Sequence, residues 1–218
     1  MGQAIMQAID ASDDLQVSGV WAKGESIDDV VAAADIIIDF SLPAATTTVL
    51  AAVSKHEKPL VCGVSGLDDS LWKAVQQAAT VIPLVYDRNM SQGIAVLDDL
   101  VSRAASSLGA EFRAEVHETH HVHKVDSPSG TALQLGESIA AVRTQESDAD
   151  AVRFEVERRG DVPGDHTVIF SSPTETLTLK HSVTTRQVFA DGALRAARWV
   201  VGQPPGLYRM RDVLFDGQ

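Results

Sequence analysis

The chain has 218 residues, 44% of them apolar, and a formal net charge of −12 at pH 7. Such a length supports one large domain or two small ones, and the apolar content gives a real core and excludes a disordered chain. The acidic balance argues against nucleic acid and anionic membrane surfaces as partners, and no apolar run approaches the ~20 residues of a membrane span.

Residues 1–11 read as a helix with Ile5, Met6 and Ile9 on one face, broken by Asp13 and Asp14. The opening residues lack the basic and apolar regions of a secretory signal. One cysteine, Cys62, excludes an internal disulfide and fits a reducing cytosol, so a cytoplasmic protein is expected. The Val-rich Leu15–Ala22 reads as a strand and Ile27–Ala34 as a helix. Ile36–Phe40 is a continuous apolar strand, the kind buried on both faces of a parallel sheet. Helix 44–55, strand 59–63, helix 68–79 and strand 81–86 follow. This alternation predicts an open parallel sheet, with ligands at the carboxyl ends of its strands. Those ends are Asp39-Phe40-Ser41, Gly63-Val64-Ser65-Gly66 and Asp87-Arg88-Asn89-Met90. A long helix over 89–108 carries Ile94, Leu97, Leu100, Val101, Ala104 and Leu108 on one face, and Gly109 ends it.

Phe112, Ala114 and Val116 alternate with Arg113, Glu115 and His117, which is strand spacing. Four of the seven histidines then fall at 117, 120, 121 and 123, with Lys124 directly after. From Thr131 the pattern turns helical through Ala132, Leu135, Ile139 and Ala140. Pro128 bars helix before it, Ser129 can cap it, and Gly130 lets a ligand approach the backbone. Strand, basic loop and helix N-terminus together form an anion site with acid–base groups beside it. Two other readings stay open. The histidines can be a solvated loop. They can also bind metal, for which His117 and His121 have the i, i+4 spacing, although strand geometry before the loop spoils it.

An acidic loop spans 144–150. Val152, Phe154 and Val156 alternate inward on a strand, 161–165 is a turn, and 168–171 and 177–182 are further strands. The last helix is 186–202, and 208–214 is the tail.

The run Glu118-Thr119-His120-His121-Val122-His123-Lys124-Val125-Asp126-Ser127-Pro128-Ser129-Gly130-Thr131-Ala132 resembles the signature of the dihydrodipicolinate reductase family, Glu-x-His-His-x-x-Lys-x-Asp-Ala-Pro-Ser-Gly-Thr-Ala. Only Ser127, for alanine, departs from it. The resemblance extends along nearly the whole chain. It implies an α/β fold: a Rossmann-like, dinucleotide-binding parallel sheet over 1–90 and 187–218, and an α+β domain over 91–186. The second domain carries a mixed, open sheet of about four strands with helices on one side. Packing of open, apolar sheet faces into a homotetramer follows from the same resemblance.

It also implies reduction of a cyclic dicarboxylate, 4-hydroxy-tetrahydrodipicolinate, by NADPH or NADH in lysine and diaminopimelate biosynthesis. His120 is then the general acid, with Lys124 as alternative proton donor. His121, Lys124, Ser129, Gly130 and Thr131 bind substrate, and no metal takes part. Closure of the two domains would exclude water from this loop. His117 is structural. Gly63, Val64, Ser65, Asp87, Arg88, Asn89 and Met90 bind the cofactor, with Met1 as the remnant of a glycine loop. Lys23 is placed for a 2′-phosphate or is a plain turn lysine. The chain lacks the opening strand and Gly-x-Gly-x-x-Gly of such folds. A start set too late or a shortened chain is the expectation, ahead of natural loss of the loop. Val64, Asp87 and Arg88 depart from the family pattern. A non-catalytic, dicarboxylate-binding relative without a dinucleotide is the competing reading, and a metal-dependent hydrolase the third.

Overall fold

The structure is a computed structural model, and it describes residues 1–22, 24–143 and 152–216. The acidic stretch 144–150 lies outside them. The chain divides into two compact units: Met1–Gln92 with the segment from Gln187 onward, and Gly93–Arg186. No helix among the described residues is long and apolar enough to cross a membrane.

The first unit is built on a parallel sheet. Its strands are β1 (Ile37–Asp39), β2 (Leu60–Cys62), β3 (Pro83–Tyr86) and β8 (Gly206–Tyr208), in the order β1-β2-β3-β8. Leu60, Val61 and Cys62 are fully buried, as a central parallel strand must be when helices cover both faces. The helices are α1 (Gly2–Asp10), α2 (Ile27–Ala33), α3 (Pro43–Lys55), α4 (Asp69–Ala78), α7 (Gln187–Val200) and α8 (Met210–Phe215). Pro43 occupies the first turn of α3, where its missing N–H costs nothing. Asp68 caps α4 by accepting the Leu71 N–H at 2.8 Å. Val49, Val53, Leu60, Val75, Ile82 and Leu84 form the core. Ile5 and Ala8 of α1 pack on Ala190 and Leu194 of α7.

One element differs from the sequence reading. Leu15–Ala22 is not a strand, because no described residue pairs with its backbone. Leu15–Trp21 and Ile36–Ser41 instead line one cavity of about 360 Å³. Valines favour extended backbone, but a strand exists only where a ladder satisfies its N–H and C=O groups.

The second unit pairs β4 (Arg113–His120), β5 (Arg153–Arg158), β6 (Asp165–Ser171) and β7 (Thr176–His181) in the order β5-β4-β6-β7. The β4–β5 pair is parallel and the other two are antiparallel, so the sheet is mixed. Helices α5 (Gln92–Leu108) and α6 (Gly130–Val142) supply Ile94, Leu97, Val101, Leu135 and Ile139 to one face, against Ala114, Val116, Val168 and Phe170. Helix α5 starts three residues after the predicted Asn89, because the Asn89 side chain accepts the Ser91 N–H at 2.9 Å and holds a turn there. Leu100, expected inside, is 47% exposed because it falls at the edge of the apolar stripe. Val156, also expected inside, is 38% exposed on the edge strand β5.

The other sheet face carries Arg153, Glu155, Glu157, Arg113, Glu115, His117, Thr119, Thr167, Thr178 and Lys180, with Ile169 among them. It is polar, which removes the argument that an apolar sheet face drives assembly. The alternating sequence places nearly all of the sheet's apolar side chains on the face that the helices cover, Ile169 being an exception.

Candidate active site

Strand β4 builds the site by its two-residue period. Ala114, Val116, Glu118 and His120 point to the covered face and are buried, while Glu115, His117 and Thr119 are half-buried on the other face. The buried face therefore changes from apolar to ionisable in its last two inward positions. His117 bonds to Glu115 at 3.1 Å on the opposite face, away from His120.

Strand register brings partners that no local spacing reveals. Glu118 lies opposite His166 of β6, and His120 lies opposite Arg158 of β5. Both Glu118 oxygens accept the Ser129 N–H, at 3.2 and 3.1 Å, and Arg158 donates to Oε1 at 3.2 Å. His120 Nδ1 is 3.5 Å from Glu118 Oε2, and the His120 and His166 rings meet edge to face with centroids 5.1 Å apart. Arg158 also donates to the carbonyls of Lys124 and Asp126, pinning the loop to the sheet. Lys124 Nζ sits 2.8 Å from Asp126, and the Lys124 N–H donates to the His121 carbonyl. His121 Nε2 is 3.4 Å from the Arg186 guanidinium. His123 is exposed, with its ring centroid 6.3 Å from that of His121.

Helix α6 begins as the sequence indicates. Ser129 Oγ accepts the Ala132 N–H at 3.1 Å, and the Ser129 carbonyl accepts that of Leu133. With Ser129 N–H taken by Glu118, half-buried Gly130 follows as the first helical residue, with no side chain over its backbone. Ser129 and Thr131 are themselves buried. The helix start, Lys124, Arg158 and Arg186 make a setting suited to carboxylates.

Burial holds the His120 imidazole below its ordinary pKa. The Glu118 charge opposes that effect, and Lys124 and Arg158 add to it. His166 goes further, down to about 3, through burial and then the nearby His120, His181 and Lys124. Burial works to raise Asp126, yet its bond to Lys124 prevails and keeps it below the usual carboxylate range. Glu118, His120 and His166 bring three donor atoms within 4.8 Å of one another, as a metal site would. The Arg158 cation on the same carboxylate opposes a second cation there.

Sequence reasoning missed Arg158, His166 and Arg186, and gave Glu118 no role. Arg158 and Arg186 left no local signal, because their partners are 34 and 65 residues away. His166 did leave one, since it shares an inward alternation with Val168 and Phe170.

In the first unit the predicted cofactor residues follow the strands in order: Gly63, Val64 and Ser65 after β2, and Asp87, Arg88, Asn89 and Met90 after β3. A Cβ on Gly63 would come within 2.4 Å of the Phe40 ring, so the ring would have to shift to admit any side chain at that bend. Gly66 has φ +75° and open space where a side chain would stand, leaving its backbone accessible. Asp39 binds the Ser41 N–H through Oδ1 and keeps Oδ2 buried without a hydrogen-bond partner, an acceptor at the sheet's ligand edge. These features fit a dinucleotide held largely by backbone. The Val64 and Met90 side chains belong to the interior. The Asp87 carboxylate accepts the N–H groups of Met210 and Asn89, tying α8 to β3. Met1 caps α1 and is 38% exposed. Lys23 lies outside the described residues.

Comparison with known proteins agrees with this geometry. Models of the dihydrodipicolinate reductase N-terminus and C-terminus match residues 1–90 and 93–214. A 4-hydroxy-tetrahydrodipicolinate reductase from Halorhodospira halophila is 44% identical over 206 residues, 88% of this chain and 77% of the relative. One from Akkermansia muciniphila is 40% identical over 230 residues, covering 98% and 93%. The fold is that of a dipicolinate-bound dihydrodipicolinate reductase from Paenisporosarcina sp. TG-14, with TM-score 0.76 at 18% identity, over 95% of this chain and 92% of that one. With both halves matched and the strand–loop–helix site in place, the chain belongs to the dihydrodipicolinate reductase family.

Proposed function

We infer that the chain is an NAD(P)H-dependent oxidoreductase that reduces 4-hydroxy-tetrahydrodipicolinate to tetrahydrodipicolinate in lysine and diaminopimelate biosynthesis. The observation that carries this reading is the loop between β4 and α6. There His121, Lys124 and Ser129 belong to one hydrogen-bonded network with Glu118 and two arginines, and His120 Nδ1 lies 3.5 Å from the Glu118 carboxylate. A non-catalytic relative is not favoured, because both halves of the chain match the reductase family and the similar relatives carry the reductase name.

The start of α6, at Ser129, Gly130 and Thr131, takes one substrate carboxylate, and His121 with Lys124 takes the other. Met1, Gly63–Ser65 and Asp87–Met90 would hold NADPH or NADH, whose nicotinamide would supply a hydride. The 4-hydroxyl leaves as water, and the hydride and one proton add across the ring double bond so formed; His120 supplies that proton, with Lys124 as the alternative donor. In the free chain the buried His120 ring is neutral at pH 7. Two incoming carboxylates favour its charged form, so substrate and proton arrive together.

The family resemblance also supports a cytoplasmic homotetramer, joined through the open sheet faces of the second unit. Since that face is polar, its interface is held by charged and hydrogen-bonding pairs. A light-scattering mass of four chains, falling as salt rises, is the expected result, and a monomer at low salt contradicts it.

The reading of the site is tested by calorimetry with dipicolinate, the dicarboxylate named with the Paenisporosarcina protein. Dipicolinate should bind the wild type, and Lys124→Ala should weaken binding by tenfold or more, about 1.4 kcal/mol. Equal binding by the two would remove Lys124 from substrate recognition.

A further inference from the structure

Glu118 is a carboxylate on the helix-covered face of β4 and only 2% exposed. Burying a charge costs several kcal/mol unless partners compensate. Its partners are the Ser129 N–H, the Arg158 guanidinium and, at longer range, the His120 and His166 rings at 3.5 and 3.9 Å. None of these contacts is open to a ligand, so any effect of Glu118 on the reaction passes through the groups it holds.

Two of those groups do the work assigned to the site. Ser129 opens the helix that takes a substrate carboxylate, and its N–H is fixed by Glu118. His120 turns Nδ1 toward Glu118, and that nitrogen is buried with no formed hydrogen bond. Its Nε2 faces Gly164, where a Cβ would stand 2.9 Å away. Glycine at 164 therefore keeps room beside Nε2. At 3.5 Å the contact between Nδ1 and Glu118 is poised rather than closed, as catalytic hydrogen bonds often are before substrate binds.

We propose that Glu118 is a positioning residue that fixes the His120 ring with Nδ1–H inward and Nε2 toward the substrate, and anchors the start of α6 through the Ser129 N–H. One buried side chain thus sets the spacing between proton donor and carboxylate anchor. This rests on His120 as the donor. The charged and titratable groups facing His120 are Glu118 on β4, Arg158 on β5, His166 on β6, and Lys124 and Asp126 in the loop. Arg158 donates to Glu118 Oε1 at 3.2 Å and so holds the carboxylate in place beside the imidazole. Remove the Glu118 charge, and Arg158 and Lys124 face the ring with only Asp126 opposing them.

The test is Glu118→Gln in the full chain, assayed across pH beside His120→Gln. The carboxamide still accepts the Ser129 N–H, so KM for the dicarboxylate should change less than about threefold. The kcat should fall about 10²-fold, and the limb of its pH profile set by His120 should move about one unit to lower pH. Unchanged kcat and an unchanged limb in Glu118→Gln, with His120→Gln inactive, overturn the role of Glu118 alone. Full turnover in His120→Gln overturns the donor assignment beneath it. If Glu118→Gln does not fold, nitrogen NMR of imidazole-labelled wild type decides: neutral His120 protonated at Nδ1 supports the proposal, and protonation at Nε2 overturns it.

Discussion

The β4–α6 loop of the second unit and the strand ends of the first are built on different physics. The loop is fixed by side chains: Glu118, Arg158, Ser129 and His166 bond to one another and to loop backbone across three strands and a helix start. The strand ends are fixed by backbone packing. Gly63 lies against the Phe40 ring, and Gly192 of α7 lies against the Met90 carbonyl. A site that moves protons needs particular side chains, whereas a dinucleotide is gripped by N–H groups that any sequence supplies. Substitutions should therefore act on chemistry in one unit and on packing in the other.

The largest expected effect separates the two. His120→Gln should lower kcat by about 10²–10⁴-fold, roughly 3–5 kcal/mol of transition-state stabilisation. NAD(P)H binding, followed by fluorescence, should stay as in wild type, because it depends on the other unit. Loss of both together would break the comparison.

Next is Gly192→Ala. Its Cβ would stand 1.7 Å from the Met90 carbonyl oxygen, a backbone atom that cannot turn aside. A loss of about 3 kcal/mol in denaturant unfolding is expected. In the other unit, Gly136→Ala meets the Phe154 ring at 2.5 Å, and a ring on an edge strand can move. Its cost should be about 1 kcal/mol. Equal losses would show that α7 yields as readily as Phe154.

Acid should weaken the second unit first. His166 is neutral in the fold, with its pKa down at about 3, and about 6.5 when unfolded. The unfolded chain then binds more protons between those values, so stability is full above pH 6.5 and falls as pH drops toward 3. Roughly 2 kcal/mol should be lost between pH 7 and pH 5. His120 and His181 are also held low by burial and act in the same direction. Thermal melts of His166→Gln should show a flatter acid limb, and an equally steep limb would remove His166 as its source. Ser129→Ala has the smallest effect expected, about 1 kcal/mol from loss of the α6 cap, read as a lowered Tm.

The same contrast explains what the sequence revealed. The loop was legible because its residues are contiguous and its strand alternates cleanly, down to the Ser129 cap and the outward His117. Arg158 and Arg186 were not, because strand register and loop folding bring them in from 34 and 65 residues away. In the first unit the parallel alternation was legible. Leu15–Ala22 was misread because β propensity says nothing about whether a ladder partner is present. The polarity of the open sheet face was readable in Glu155, Glu157, Thr167 and Lys180, yet only the register shows that they share a face.

The most direct measurement is oxidation of NADH and NADPH by the purified chain with freshly generated 4-hydroxy-tetrahydrodipicolinate. Nucleotide consumption should require the dicarboxylate, yield tetrahydrodipicolinate in equal amount and vanish in His120→Gln. A wild-type chain that binds dipicolinate yet consumes neither nucleotide would contradict the reductase reading.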